Sequence, residues 1–315
     1  MRSYLFDQAK AREEVDVRGV LGSLSERQLL WMDAGSAEDA GEVAEALGLR
    51  ERTVRRIGKP SGRPFLEDFE DYFHLDVAAV RPSGAPVRVD CVVGENWVLT
   101  VHDELDLLET FEERVSGAGE LGPVGAPSFL ATLLDWILAS YFDALGQVEV
   151  ALERLDPRLI KARLPREDDA LLEELVALRT TVAGLRRALA PNRTVLASLA
   201  RPEFDRISTS ESAARFAELV QQIDQTLDVI RSAREMVLGS VNLLIARTGQ
   251  RTNDVMKILT LASIMLLPSS LLAGVLGMNF EQEFFGNSKG FWIAIAAMAL
   301  LSVATLVTAR LRRWI

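Results

Sequence analysis

Two stretches without a charged side chain lie close together in the last quarter of the sequence. The first runs for 23 residues from Ile258 to Phe280, and the second for 20 residues from Gly290 to Ala309. About 20 consecutive apolar residues in a helix are enough to cross the hydrocarbon core of a bilayer. Only nine residues, 281–289, separate the two stretches. The sequence therefore predicts a hairpin of two membrane-spanning helices with a short loop.

The charges around this hairpin predict its orientation. Six basic residues flank it outside the loop: Arg247, Arg251, Lys257, Arg310, Arg312 and Arg313. The loop itself contains Glu281, Glu283 and Lys289. Because basic residues stay on the cytoplasmic side, we expect both termini in the cytoplasm and the hairpin in the inner membrane. The basic C-terminal end, with Trp314, also suits an interfacial anchor.

The rest of the chain is acidic. The net charge is -10 in total and +3 over residues 251–315, which leaves -13 on residues 1–250. This charge repels nucleic acid, which we exclude as a partner, and it either serves solubility or attracts cations. With one cysteine, Cys91, and two histidines, His74 and His102, a single chain has neither an internal disulfide nor a Cys/His zinc cluster.

Residues 1–125 have the pattern of an α/β domain. A capping serine and an acidic first turn predict a helix over 36–49. Gly94 and Glu95 separate two β-prone runs and predict a hairpin. Runs of this kind predict strands at Ser3–Phe6, Gln28–Asp33, Tyr72–Val80, Val87–Val93 and Asn96–Val101.

Beyond residue 125 the apolar spacing is helical. Residues 126–200 predict a cytoplasmic stalk of two helices, Ser128–Leu155 and Glu167–Leu189, interrupted near Pro157 and Pro165 and ended by Pro191. A single long helix is then expected from Phe204 to Leu276, on the order of 110 Å in length. The expected segments are 201–256 as its cytoplasmic part, 257–280 as the first transmembrane helix, 281–289 as the outer loop, 290–310 as the second transmembrane helix and 311–315 as a basic tail.

The long helix has an apolar repeat of about 3.5 residues. This repeat predicts a coiled-coil-like seam and suggests self-association. Its members are Phe216, Val220, Ile223, Leu227, Ile230, Val237, Val241 and Leu244.

The two predicted spans differ in polarity. The second is uniformly apolar or small, as a lipid-facing helix should be. The first contains Thr260, Ser263, Pro268, Ser269, Ser270, Gly274, Gly277 and Asn279. These groups either bond to their own helix and permit close packing, or line a water-filled path between several copies.

Gly277, Met278 and Asn279 end the first span just before the loop. This placement resembles the CorA family of divalent-cation channels, whose hallmark is Gly-Met-Asn at the end of the first of two C-terminal transmembrane helices. The resemblance extends through 253–260, Pro268 and the basic C-terminal end, and the order of the predicted parts matches over the whole chain.

The resemblance implies a funnel-shaped homopentamer that conducts Mg²⁺ and senses it in the cytoplasm. It implies a selectivity filter at Gly277, Met278 and Asn279. Neutral amide oxygens can hold a hydrated Mg²⁺ through its waters, although an asparagine here can also simply cap the helix. Glu281 and Glu283 would concentrate cations at the outer mouth.

The resemblance also implies a pore gate and a regulatory site. Asn253, Met256 and Leu259 match the gate, where apolar side chains can dewet a narrow channel or merely pack in the helix seam. Glu218 matches a position that helps to bind regulatory Mg²⁺, although a helical surface glutamate is more often only solvated. Gln221 stands where a second acidic residue is common, so this site is weakened or rebuilt.

Two other functions compete with a magnesium channel. A zinc transporter resembling the ZntB branch generally has isoleucine in place of Met278, and weak Co²⁺, Ni²⁺ or Zn²⁺ transport needs no soft ligands. A non-conducting membrane scaffold would use the hairpin only as an anchor. We do not expect an enzyme, because the sequence has no phosphate-binding glycine loop and no nucleophile elbow.

Overall fold

The structure is a computed structural model that describes the chain with short gaps. The described residues are 1–7, 10–13, 15–25, 27–57, 59, 63–102, 108, 111–112, 115, 125–161, 165–201, 204, 210–276 and 288–311. The chain forms two compact units, Met1–Val241 and Asn242–Ile315.

The first unit contains a seven-stranded sheet. Its strands are β1 (Arg2–Asp7), β2 (Lys10–Glu13), β3 (Gln28–Ala34), β4 (Phe65–Asp68), β5 (Phe73–Val80), β6 (Pro86–Val93) and β7 (Trp97–Val101). The order across the sheet is β2-β1-β3-β7-β6-β5-β4. The β3–β7 pair is parallel and all other pairs are antiparallel. The five predicted strands are confirmed, whereas the short strands β2 and β4 were not predicted.

The predicted turn at Gly94 closes the β6–β7 hairpin. The backbone N–H of Gly94 donates to the carbonyl of Trp97 at 2.9 Å. A Cβ atom at residue 94 would lie 2.2 Å from the Trp97 ring, so only glycine lets the indole pack over this turn.

Three short helices cover one face of the sheet: α1 (Val17–Leu21), α2 (Ala37–Ala44) and α3 (Glu51–Arg56). The helix predicted over 36–49 is observed as α2 and is shorter, Ala37–Ala44. Ser36 caps its N-terminus, because its hydroxyl accepts a hydrogen bond from the backbone N–H of Asp39 at 3.1 Å. Successive side chains of β3 point to opposite faces of the sheet. Leu30 and Met32 belong to the core under these helices, whereas Trp31 packs on Phe129 of the next helix with ring centroids 5.2 Å apart.

Two long helices follow, and both run through a proline. They are α4 (Ala126–Lys161), with Pro157 inside, and α5 (Pro165–Leu199), with Pro191 inside. The prediction that these prolines end the helices is wrong. A proline inside a helix costs about 3 kcal/mol, but each fully buried leucine or valine contributes roughly 1.5–3 kcal/mol. Buried side chains lie on both sides of Pro191, so packing keeps α5 continuous. Leu185 and Leu189 precede the proline, and Val195 and Leu196 follow it.

Three helices of the described chain are long and apolar enough to cross a membrane. They lie at Ala126–Ile160 in α4, Ser212–Val275 in α6 (Ser210–Leu276) and Lys289–Leu311 in α7 (Ser288–Leu311). The most apolar window of α4 is 56% buried inside the protein, against 0% in α6 and 6% in α7. The apolar side chains of α4 thus belong to the protein core, and α6 and α7 are the membrane candidates.

Part of the predicted seam on α6 is buried inside the chain itself. Phe216, Ile223, Ile230 and Val237, spaced by seven residues, are each 0–1% exposed. The same helix contacts α5 through the Arg193–Asp224 ion pair and α4 through Arg215 and Thr132. The heptad repeat is real, but this part of it is filled by the chain's own packing. Val220, Leu227 and Val241 are only half-buried, and the self-association suggested by the seam stays a prediction.

Side chains from α4 and α5 complete the open edge of β5. Strand β4 pairs only with residues 73–76 of β5, so Ala78 lies beyond its end. There the Asn192 side chain accepts from the Ala78 N–H at 3.0 Å and donates to its carbonyl at 2.8 Å. The Tyr141 hydroxyl donates to the same carbonyl at 2.7 Å, and burial raises the pKa of Tyr141. The Asn192 amide thus takes the place of a neighbouring strand.

Replacing Asn192 should destabilise the first unit. Asn192→Leu leaves the buried Ala78 N–H without an acceptor, which costs about 1–3 kcal/mol. Asn192→Asp keeps the acceptor but buries a charge and loses the donor, so we expect a loss at least as large. The measurement is urea unfolding of the full chain in detergent, followed by tryptophan fluorescence. Arg187→Leu, at an exposed position of α5, is the control and should change the free energy of unfolding by less than about 0.5 kcal/mol. Equal stability of the Asn192 and Arg187 variants would contradict the assignment.

Candidate functional site

The end of α6 packs antiparallel on α7 within the second unit. The Ser269 hydroxyl lies 3.2 Å from the Ser302 hydroxyl and 3.4 Å from the Met298 carbonyl. Earlier residues of α6 line a cavity of about 340 Å³ with later residues of α7: Leu261, Ile264, Met265, Leu301, Ala304, Thr305, Thr308 and Ala309. One side of α6 is therefore occupied by α7.

The α7-facing side of α6 is a regular stripe. Its partly buried members recur every three or four residues: Leu261, Met265, Pro268, Ser269 and Leu272. Successive residues of a helix are about 100° apart, so the position of every other side chain relative to this stripe is fixed.

The opposite side of α6 is exposed, and we call it the open face. Met256, Ser263, Leu267, Ser270 and Gly274 lie within about 40° of the line opposite the stripe, and Leu259 and Thr260 lie about 50° to either side of it. All seven are exposed, with Met256 at 54% and Leu259 at 59%. The open face has no charged member, and it combines bulky apolar groups with hydroxyls and one glycine.

Two hydroxyls of the open face bond to the helix backbone. Thr260 Oγ1 donates to the Met256 carbonyl at 2.7 Å, and Ser263 Oγ donates to the Leu259 carbonyl at 2.9 Å. Each hydroxyl proton is thereby used, and the lone pairs of the oxygen remain free to accept. Towards solvent, these two groups therefore act as hydrogen-bond acceptors.

The predicted gate residues lie on α6, and the predicted filter lies outside the described residues. Met256 and Leu259 occupy adjacent turns of the open face, whereas Asn253 lies exposed one turn earlier and about 80° from its centre. Gly277, Met278, Asn279, Glu281 and Glu283 belong to the segment 277–287, which the structure does not describe.

Five members of the open face were not predicted as site residues. They were read only as parts of the first span: Thr260, Ser263, Leu267, Ser270 and Gly274. A signal was available, because Ser263 follows Met256 by seven residues and Ser270 follows Ser263 by seven, which returns a helix to nearly the same side. What the sequence lacked was the position of α7, which decides which side is free.

Glu218 is exposed on α6. In the described part of the chain, no three His, Cys, Asp or Glu side chains are grouped so that they could hold a metal ion. Asp224, six residues further on, is engaged by Arg193 at 2.6 and 3.0 Å, and this hydrogen bonding lowers the pKa of Asp224.

The side chains of the first unit that could bind a soft metal are buried. His74 Nε2 lies 3.2 Å from Asp90, and His102 Nε2 lies 3.2 Å from Asp33. Both imidazoles are 0% exposed. Cys91 is fully buried in the sheet, and burial raises the pKa of its thiol. These three residues therefore serve the core of the α/β unit.

Comparison with known proteins finds relatives over the whole chain. The family model of the CorA-like Mg²⁺ transporter protein matches residues 26–313. The cobalt/magnesium transport protein CorA of Thermotoga maritima is 22% identical over 99% of this chain and 91% of its own. The divalent cation transporter CmaX of Pseudomonas aeruginosa is 26% identical over 94% of this chain and 90% of its own.

Solved structures share the fold. The complete CorA magnesium transporter of Methanocaldococcus jannaschii superposes with a TM-score of 0.83 at 22% identity, over 99% of this chain and 98% of that one. Full-length CmaX superposes with a TM-score of 0.78 at 21% identity, over 100% and 98% of the two chains. The α/β unit, the long helix and the C-terminal helix are thus a known arrangement.

Proposed function

The chain belongs to the family of CorA-like Mg²⁺ transporter proteins, and from this premise we propose that it is a homopentameric channel that conducts Mg²⁺ into the cytoplasm. The family is one of membrane transporters for divalent cations and not of enzymes. The observation that carries the proposal is the division of α6 into a side occupied by α7 and an open face with hydroxyls and no charge.

In the proposed assembly, α6 and α7 form the membrane hairpin of the inner membrane. The uniformly apolar α7 faces lipid, and the basic residues outside the loop hold both termini in the cytoplasm. Two helices cannot enclose a pore by themselves, so the open faces of five α6 helices surround it. The proposed pentamer is supported by the open face and by the family.

We propose that Gly277, Met278 and Asn279 form the selectivity filter at the outer end of the pore. Mg²⁺ sheds its waters reluctantly. A ring of Asn279 amide oxygens would therefore recognise the ion through its hydration shell, and neutral ligands would release it again. Glu281 and Glu283, repeated around the ring, would raise the cation concentration at the mouth.

The filter is tested by two substitutions at Asn279. Asn279→Ala removes the amide and should abolish selective Mg²⁺ uptake into sealed proteoliposomes, measured with an internal magnesium dye and expressed per folded oligomer. Asn279→Asp places five charges at the ring and should bind cations more tightly, which changes selectivity or blocks flux. Asn242→Ala, an exposed asparagine of the same helix, is the control. If Asn279 only caps the helix, Asn279→Ala lowers stability by about 1 kcal/mol or less and leaves the flux intact.

We propose that Met256 and Leu259 form the gate, with Asn253 as a polar ring below it. Five copies of two bulky apolar side chains on adjacent turns would narrow the pore and exclude water from it. In this position they oppose ion passage without any charge.

Polar substitution at the gate should hydrate it. Met256→Ser and Leu259→Ser should each raise resting Mg²⁺ flux in the same liposome assay, at internal Mg²⁺ concentrations that close the wild-type channel. Ile258→Ser, an exposed position on the α7 side of the helix, should leave the resting flux at the wild-type level. Unchanged flux in both gate variants, with normal assembly, would return Met256 and Leu259 to a packing role.

We propose further that cytoplasmic Mg²⁺ closes the channel through Glu218. A single exposed carboxylate needs a partner, which a neighbouring subunit would supply. A shared divalent ion would reduce the repulsion between acidic units, so its loss would loosen the ring and favour opening.

The sensing role predicts a weakened response to internal Mg²⁺. Glu218→Ala should shift the internal Mg²⁺ concentration that halves the flux to higher values, whereas Glu235→Ala, another exposed glutamate of α6, should not. Protease resistance of the wild-type protein should be greater in millimolar Mg²⁺ than in chelator. Equal resistance in the two conditions would remove Glu218 from this role.

A zinc transporter of the ZntB type is the alternative cargo assignment. Met278 in the triplet and the burial of His74, His102 and Cys91 favour Mg²⁺ over a soft metal. Repeating the uptake assay with Zn²⁺ and Co²⁺, and with an imposed proton gradient, distinguishes the cargoes. A non-conducting scaffold would give no uptake of any of these ions.

A further inference from the structure

Two hydroxyl groups lie just beyond the proposed gate, on the side of the filter. Thr260 directly follows Leu259, and Ser263 stands one turn further along the open face, within a few degrees of its centre. Both side chains are exposed. They are the first oxygen-bearing side chains of α6 that follow Met256 and Leu259 in the direction of the filter.

The hydrogen bonds of these groups determine what they offer to a passing ion. The two hydroxyls donate hydrogen bonds to the carbonyls of Met256 and Leu259, at 2.7 and 2.9 Å. Each hydroxyl oxygen therefore keeps lone pairs that can accept a hydrogen bond from outside the helix. Ser269, on the other side of the same helix, differs because its hydroxyl is engaged by Ser302 of α7. The hydroxyls of this span are therefore divided between helix packing and the open face.

Acceptors are what a hydrated cation needs. The waters that surround Mg²⁺ point their oxygens at the ion and can only donate outwards, and Mg²⁺ gives them up reluctantly. The gate side chains Met256 and Leu259 offer no strong acceptor. An ion that passes the gate therefore loses outer hydrogen bonds, which the next ring of acceptors restores.

We infer that Thr260 and Ser263 form this acceptor ring and determine how readily hydrated divalent cations cross the inner part of the pore. The inference rests on the proposed channel function and adds to it a specificity-determining pair between gate and filter. Ser263, nearer the centre of the open face, contributes the larger share.

Isosteric variants isolate the hydroxyl. Ser263→Thr keeps the acceptor, whereas Ser263→Val has nearly the same shape without it. We expect Mg²⁺ flux per folded pentamer through the Val variant to be lower than through the Thr variant by about fivefold, the order of one net hydrogen bond. Thr260→Val should lower flux relative to Thr260→Ser in the same direction. Ser269→Ala is the control and should stay within about twofold of wild type. Equal flux through the Val and Thr variants at residue 263 would overturn the inference.

Cysteine accessibility separates failure of this inference from failure of the channel. Cd²⁺ should block flux through M256C and S263C and leave S269C and the wild type unblocked, because native Cys91 is buried. Block of M256C without block of S263C would overturn the acceptor ring and leave the channel standing. Block of neither variant, or absence of Mg²⁺ flux in the wild type, would overturn both.

Discussion

The packing of α7 against one side of α6 is the interaction on which the candidate site depends. It engages the Ser269 hydroxyl with Ser302 and covers a stripe that includes Leu261 and Met265. The side of α6 opposite this stripe forms the open face, which carries both apolar side chains and acceptor oxygens. Because a bilayer supplies no hydrogen bonds, a hydroxyl in such a helix bonds to its own backbone, to a neighbouring helix or to water in a pore. The side on which each hydroxyl lies therefore bears directly on function.

The same helix divides its faces differently in the first unit. There every seventh residue from Phe216 to Val237 is buried within the chain, so this row of the apolar repeat stabilises the single chain. The apolar side chains of the open face remain exposed to solvent in a single chain, with exposed fractions of 54% for Met256 and 59% for Leu259. Their exposure is what an oligomer or a lipid environment has to resolve.

The α5 helix connects the sheet to α6 through adjacent residues. Asn192 replaces a missing strand at Ala78, and Arg193 binds Asp224 of α6 with two hydrogen bonds. The first contact is buried and specific, whereas the second is exposed and depends on the ionised carboxylate. Hydrogen bonding to Arg193 lowers the pKa of Asp224, so this contribution is present above the unfolded pKa and is lost as pH falls through the folded one. Adjacent residues of α5 thus contact both the sheet and α6.

Much of this organisation follows from the sequence alone. The two membrane candidates were predicted from the length of the uncharged stretches. The β6–β7 hairpin was predicted from two β-prone runs separated by a glycine turn. Both predictions succeed because they depend on local properties of the chain. The continuity of α5 through Pro191 was decided by burial on both sides of the proline, which local propensity does not contain. Asn192 bonds to Ala78 only because β4 ends before that residue. Likewise, the neighbouring helices decide which residues of the α6 seam are buried. The open face was likewise decided by tertiary structure: the sequence contained Ser263 and Ser269 as equivalent serines, and only the position of α7 gave one a partner and left the other facing outward.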